Sequence, residues 1–228
     1  MTLPATVAID GPASSGKSVV AQELARRLGY FYYDTGALYR AVTWAALQAK
    51  VDLTDEEAVT AIARQVHLDL AKPTAEDGRQ YTVLLDGQDI TWAIFEPEVD
   101  ANVSLVSAHP GVRRVLLERQ RETAKRGHVV MAGRDIGTVV FPEADLKLYL
   151  EATPEVRAQR RLKQKAAQGV RADYGQILAQ IRQRDRLDQG RAVAPLRPAP
   201  DAVVIDTSNL TVDQVMEVIE GILNRFRN

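Results

Sequence analysis

Residues 11–18 read Gly-Pro-Ala-Ser-Ser-Gly-Lys-Ser and fit the spacing G-x-x-x-x-G-K-[ST]. Gly11 and Gly16 permit backbone angles closed to other residues, so successive N–H groups can point into one concavity. A helix that starts there adds unpaired N–H donors and the positive end of its dipole. Lys17 supplies a mobile cation for β- and γ-phosphates, and the Ser18 hydroxyl supplies a ligand for Mg²⁺. The chemistry is the binding of a nucleoside triphosphate by Gly11, Pro12, Ala13, Ser14, Ser15, Gly16, Lys17 and Ser18. A Gly/Ser turn before a surface lysine would use the same letters, but here a β-rich run (5–10) precedes the loop. Residues 17–28 follow with Val20, Leu24 and Leu28 on one helical stripe.

A second set of residues suggests what happens to that triphosphate. Arginines stand at predicted strand ends or in the segments that follow them: Arg40, Arg134 beside Asp135, Arg157, Arg160 and Arg161, then Arg184 and Arg191 flanking Asp188. Hydrolysis by water does not need so many. Transfer of a phosphoryl group between two anions does, because guanidinium forks bind phosphate at two points and neutralise charge developing in flight. The plainer alternatives are a solvated helix face for Arg157, Arg160 and Arg161 with Glu155, and a surface i,i+4 pair for Arg184 and Asp188. Ala132 stands where many phosphate-loop proteins have a metal-orienting aspartate, which leaves Mg²⁺ to Ser18, phosphates and water, with Asp34 or Asp135 as candidate helpers. No general base stands out, and a phosphate dianion as acceptor needs none.

The elements that must position these groups alternate. Short apolar strands are predicted at 5–10, 30–33, 128–132, 146–150 and 202–205, separated by helices at 17–28, 37–49, 54–65, 97–108, 110–126, 154–168, 174–188 and 213–226. Thr54 to Glu57 has the look of a capping box. The inner faces expected include Leu38, Val42, Ala45 and Ala46; Ile177, Leu178, Ile181 and Leu187; and Val215, Val218, Ile219, Ile222 and Leu223. Between 66 and 92 the pattern changes to short strands around Gly78 and an Asp86-Gly87 turn, an antiparallel insert. The expected fold is α/β: a five-stranded parallel sheet with helices on both faces, a small antiparallel insert and an arginine-rich helical excursion.

The 228 residues carry a net charge of −1 and no cysteine, which excludes disulfides and thiolate metal sites. The three histidines have no metal-ligand spacing. No overall field draws the chain to nucleic acid or membrane, and no leader-like or spanning segment is present, so a cytoplasmic location is the expectation.

Four stretches together are similar to the bacterial cytidylate kinases: Ile-Asp-Gly-Pro-Ala-Ser-Ser-Gly-Lys-Ser (9–18), Asp-Thr-Gly-Ala-Leu-Tyr-Arg (34–40), Gly-Arg-Asp-Ile-Gly-Thr-Val-Val-Phe-Pro (133–142) and Arg-Ala-Val-Ala-Pro-Leu (191–196). The resemblance covers essentially the whole chain. It implies the phosphate-loop kinase fold in one domain: a core (about 1–60, 109–153 and 190–228), a monophosphate-binding insert (about 61–108) and a lid (about 154–189). It implies transfer of the γ-phosphate of ATP, with Mg²⁺, to CMP and dCMP, with UMP a poor acceptor, in a chain expected to be a monomer. By the same resemblance Thr35, Arg40, Arg134 and Arg191 bind the acceptor phosphate, and Ser104, Arg113 and Asp135 read cytosine. Arg184 and Asp188 hold the ribose; Arg157 and Arg161 are lid arginines over the triphosphate, Arg157 also a candidate for stacking on adenine. Lys17, Arg134, Arg157, Arg161 and Arg191 are the expected catalytic set. The chain departs from the family at Phe95, where an arginine is frequent. Two other functions remain open at this stage: a kinase for UMP or another monophosphate, and, in a different class, a nucleotide-binding switch.

Overall fold

The computed structural model describes residues 3–167 and 169–227, Arg227 by its backbone alone. Five strands form a parallel sheet: β1 (Thr6–Asp10), β2 (Phe31–Asp34), β6 (Val129–Gly133), β7 (Leu146–Glu151) and β8 (Val203–Asp206), in the order β2-β6-β1-β7-β8. A separate antiparallel sheet holds β3 (Leu68–Ala71), β4 (Thr82–Leu85) and β5 (Gln88–Asp89). The helices are α1 (Lys17–Leu28), α2 (Thr35–Gln48), α3 (Glu56–Gln65), α4 (Pro97–Val106), α5 (Pro110–Lys125), α6 (Pro154–Ala167), α7 (Tyr174–Gln189) and α8 (Val212–Arg227). Short helical turns lie at Ala93–Phe95 and Ile136–Val140. All five predicted parallel strands and the insert are present. Gln168, where the α6 pattern was expected to end, lies outside the described residues.

Every residue of β1 and β6 is buried, as central strands covered on both faces require. Leu24, Leu38, Leu116, Met131, Leu148 and Ile219 are among the largest side chains with almost no exposure. Register then aligns the strand ends. Asp10 pairs with Gly133 and with Tyr149, and Asp34 pairs with Ala132. The loops that follow β1, β2, β6 and β7 therefore open side by side, at the carboxyl edge where the strand order reverses around β1, the usual ligand edge of an open α/β sheet.

Several boundaries differ from the sequence expectation, each for a local reason. Helix α2 starts at Thr35 because the Asp34 carboxylate caps it, accepting from the Gly36 N–H at 2.9 Å. Helix α3 is capped by Asp55, not Thr54; the Thr54 hydroxyl is already spent on Asp52 at 2.7 Å. Leu187 and Val218, expected to be inner residues, are exposed. Each lies at the edge of a stripe whose other members are buried or half-buried.

Gly11 shows the tightness of the edge. Its φ is 154°, and a Cβ there would lie 2.1 Å from the Leu150 carbonyl oxygen of β7. Gly11→Ala is expected to cost roughly 2–4 kcal/mol in urea unfolding, since backbone on both sides must move. A loss below about 1 kcal/mol would show that the loop has slack.

Candidate active site

The loop between β1 and α1 is braced from outside. The Arg157 guanidinium donates to the Ala13 carbonyl at 3.2 Å, and Arg160 donates to the Ser15 carbonyl at 3.2 Å. The Thr207 hydroxyl donates to the same Ser15 carbonyl at 2.9 Å. With these carbonyls turned to donors and the Ser15 N–H turned to the Pro12 carbonyl at 3.4 Å, the other loop N–H groups are left for an anion. Gly16 precedes α1 in a left-handed conformation with no side chain capping the helix, so the N–H groups of its first turn remain open. Lys17 is buried, and its ammonium donates to the Pro12 carbonyl at 3.1 Å. Burial, then the nearby Arg134, push its pKa well below the usual lysine range, while Asp34 and Asp188 pull the other way.

Opposite the loop lies the arginine cluster. Asp188 is 1% exposed. It accepts from Arg134 Nε at 3.0 Å and from Arg191 Nη2 at 2.5 Å. Arg191 also donates to the Ser107 hydroxyl at 3.0 Å. Although burial opposes its ionisation, Arg134, Arg191 and Arg184 together hold the Asp188 carboxyl below its ordinary value. Arg184 forms no ion pair among the described residues, and its Nε is buried without a partner there. Burial and then the Arg134 charge bring its pKa down to about 10. The surface i,i+4 pair of Arg184 and Asp188 is thus replaced by a buried triad of Arg134, Asp188 and Arg191.

Next to that triad, Arg113 of α5 pairs with Asp135 behind β6, both buried. The Arg113 guanidinium lies 5.3 Å over the Tyr39 ring and donates to the Ser107 carbonyl at 3.2 Å. The Thr35 hydroxyl donates to the Ala132 carbonyl at 2.9 Å, which joins the start of α2 to β6. Gly133 is required there, since a Cβ would come within 2.6 Å of both Thr35 Oγ1 and Ile136 Cδ1. Arg40 and Arg161 meet on Asp100, at 2.6 and 2.7 Å. Ser104 is half-buried on α4, where its carbonyl accepts from the Ser107 hydroxyl at 3.1 Å.

Arg157 lies on no solvated face. It is 3% exposed, forks onto Asp185 at 2.9 and 2.5 Å, and donates to the Ala152 carbonyl at 2.9 Å. Its contact with the glycine loop is through the backbone of Ala13. Asp10, Asp100, Ser107, Asp185 and Thr207 were not singled out from the sequence. Asp185, three residues before Asp188 on α7, carried a signal: it belongs to a helix on which Arg184 and Asp188 already stood out. The others had none.

A scan against family profiles matches residues 7–227 to the family described as Cytidylate kinase. A cytidylate kinase of Herpetosiphon aurantiacus is 46% identical over 223 residues, covering 98% of this chain and 96% of that one. One from Desulforamulus reducens is 48% identical over 219 residues, covering 96% of each.

The chain belongs to the cytidylate kinase family.

Among solved structures, an uncharacterized protein from Eubacterium ventriosum shares the fold at a TM-score of 0.50 and 11% identity, covering 96% of this chain and 98% of that one. In this chain Asp10 joins the glycine loop to the turn after β6. Its oxygens accept from the Ile136 and Gly137 N–H groups, each at 2.8 Å, tying the residue before the glycine loop to the turn after Arg134 and Asp135. Burial pushes the Asp10 carboxyl up to about 7, against the two N–H bonds that lower it. The folded protein therefore takes up a proton between about pH 4 and 7 that the unfolded chain has released. This contribution favours folding at low pH and is lost as the pH rises through 7. The difference in urea-unfolding free energy between wild type and Asp10→Asn is expected to change across that window and to level off above it. A difference that is flat from pH 4 to 8 would mean that the carboxyl is ionised throughout.

Proposed function

We infer that the protein is a nucleoside monophosphate kinase that transfers the γ-phosphoryl group of ATP to CMP and dCMP, giving the diphosphates. The observation that carries this reading is the juxtaposition of Lys17 with Arg134, Arg184 and Asp188, the last gripped by Arg134 and Arg191, beside the buried Arg113–Asp135 pair. Lys17 and the loop 11–18 take the triphosphate. Thr35, Arg40, Arg134 and Arg191 take the acceptor phosphate, and Arg184 and Asp188 the ribose. Arg161 acts on the transferred group from the segment 154–189, the lid, and Arg157 supports the loop from behind Ala13. Segment 61–108 serves as the acceptor insert.

The acceptor oxygen is already deprotonated, so transfer needs placement and charge rather than a base. Arginines that follow the charge in flight contribute on the order of 10³–10⁵ in rate. Base choice rests with Arg113 and Asp135, assisted by Ser104. A carboxylate beside a guanidinium offers an acceptor next to a donor, the complement of cytosine's amino group and its adjacent ring nitrogen. Uracil reverses that pattern and leaves buried groups unpaired, at roughly 1–3 kcal/mol each.

Mg²⁺ fits the residues near Ser18. The buried Tyr32 hydroxyl lies close enough to the Ser18 hydroxyl and the Asp34 carboxylate for both to bear on its acidity, yet it has no hydrogen-bond partner of good geometry among the described residues. One hydroxyl, a carboxylate, phosphates and water suit a hard cation that keeps several waters. Ser18 is its direct protein ligand in this reading. Asp34 is its second-sphere partner, because Asp135 is committed to Arg113. When bound, the ion supplies charge neutralisation on the β- and γ-phosphates.

A monomer and a cytoplasmic location belong to the same reading. Among the described residues no helix is long and apolar enough to cross a membrane.

The test is a panel of nucleoside monophosphates with ATP and Mg²⁺, scored by ADP release. CMP and dCMP are expected to outpace UMP by about tenfold or more in kcat/KM. Equal use of UMP, or turnover with no acceptor preference, would overturn the cytosine reading.

A further inference from the structure

One carboxylate stands between Arg40 and Arg161. Asp100, on α4 of the insert, gives one oxygen to each: Oδ1 accepts from Arg40 Nη2 at 2.6 Å, and Oδ2 from Arg161 Nη2 at 2.7 Å. Arg40 belongs to α2 and Arg161 to α6, so one side chain links two elements that are far apart in sequence. Arg184 of α7 lies within the field of both Arg40 and Asp100. Arg40 is fixed on its other side as well. Its Nη1 donates to the Ile94 carbonyl at 3.2 Å, and its guanidinium lies 5.4 Å over the Phe95 ring. Phe95 thus gives Arg40 an aromatic face that orients its guanidinium.

We propose that Asp100 is a positioning residue for phosphoryl transfer: its two oxygens set the separation and direction of the acceptor-phosphate arginine and the lid arginine. The proposal rests on the reading of Arg40 and Arg161 as phosphate ligands. A carboxylate is suited to this because each oxygen can take a separate guanidinium N–H at charge-assisted length. The charges also remain favourable. Arg40, Arg161 and Arg184 contribute three positive charges and Asp100 removes one, so two remain to attract a phosphate dianion. Without Asp100 the three guanidinium groups would repel one another and spread before either phosphate arrived. Each arginine uses one terminal N–H on Asp100 and keeps others for substrate. Because both arginines share one anchor, placing a phosphate on Arg40 also restrains Arg161, which couples the two binding sites.

The experiment compares wild type, Asp100→Asn and Asp100→Glu. Asparagine keeps the size and loses the charge; glutamate keeps the charge on a longer arm. Steady-state rates are measured against CMP and against ATP, and calorimetry measures CMP affinity with and without a non-hydrolysable ATP analogue. Asp100→Asn is expected to lower kcat by about 10- to 100-fold. It is also expected to abolish the gain in CMP affinity that the ATP analogue brings in wild type, with Asp100→Glu recovering part of both. Asp100 is 30% exposed, so both variants should fold, and thermal melting checks this. If the asparagine variant melts early, the glutamate variant carries the test through the coupling alone. Wild-type kcat and coupling in a folded Asp100→Asn would overturn the proposal. So would a lower KM for CMP, which would mark the carboxylate as a competitor of phosphate. Wild type that forms no CDP would instead remove the function on which the proposal rests, and the proposal with it.

Discussion

Guanidinium groups do not gather at the edge of a sheet unless something negative holds them. In this protein buried and half-buried aspartates do so. Asp188 holds Arg134 and Arg191, Asp135 holds Arg113, Asp100 holds Arg40 and Arg161, and Asp185 holds Arg157. Hydrogen bonds between charged partners are each worth about 1.5–3 kcal/mol net, while an unpaired buried charge costs more. The compensation is incomplete. Lys17, Arg184 and Arg191 all have their pKa values lowered, burial being the largest cause, with neighbouring cations adding to it. A site whose own cations strain against one another in this way gains from a polyanion, and two nucleotides laid end to end are one.

The sheet turns that charge distribution into geometry. Strand order brings the ends of β2, β6, β1 and β7 into adjacent positions, and the register pairs Asp10 with Gly133 and Asp34 with Ala132. Backbone atoms then carry much of the positioning. The Ala13 and Ser15 carbonyls are held by Arg157, Arg160 and Thr207 from the far side, while Asp10 grips the turn after β6 through two N–H groups. The glycine loop and the turn after β6 are thus fastened to the same strand end. A preorganised arrangement of this kind stabilises developing charge without reorganising during the reaction.

Much of this was legible in the sequence, and the reasons are local. The glycine loop fixes its own strand and helix through spacing, and the Gly133-Arg134-Asp135 stretch announces a strand end with functional groups beyond it. What could not be read were the partners. Asp100 lies 61 positions from Arg161, Asp10 lies 126 from Ile136, and Thr207 lies 192 from Ser15. Periodicity tells which face of an element is apolar but not which polar tip it meets across a cleft. The same limit applies to Arg157: a solvated helix face was the plainer alternative to a lid arginine, and only the packing of α6 against α7 brings Asp185 to it. Leu187 and Val218 failed in the opposite sense, since a stripe can be wider than the surface that receives it.

The central claim is that the glycine loop and the arginine cluster face one another along a single line of phosphates. The most direct measurement is calorimetric binding of an oligophosphate carrying adenosine at one end and cytidine at the other. If one line of phosphates joins the two regions, the linked ligand should bind at least about 100-fold more tightly than ATP or CMP alone, because the second end binds at high effective concentration. Affinity no better than that of ATP alone would contradict that alignment.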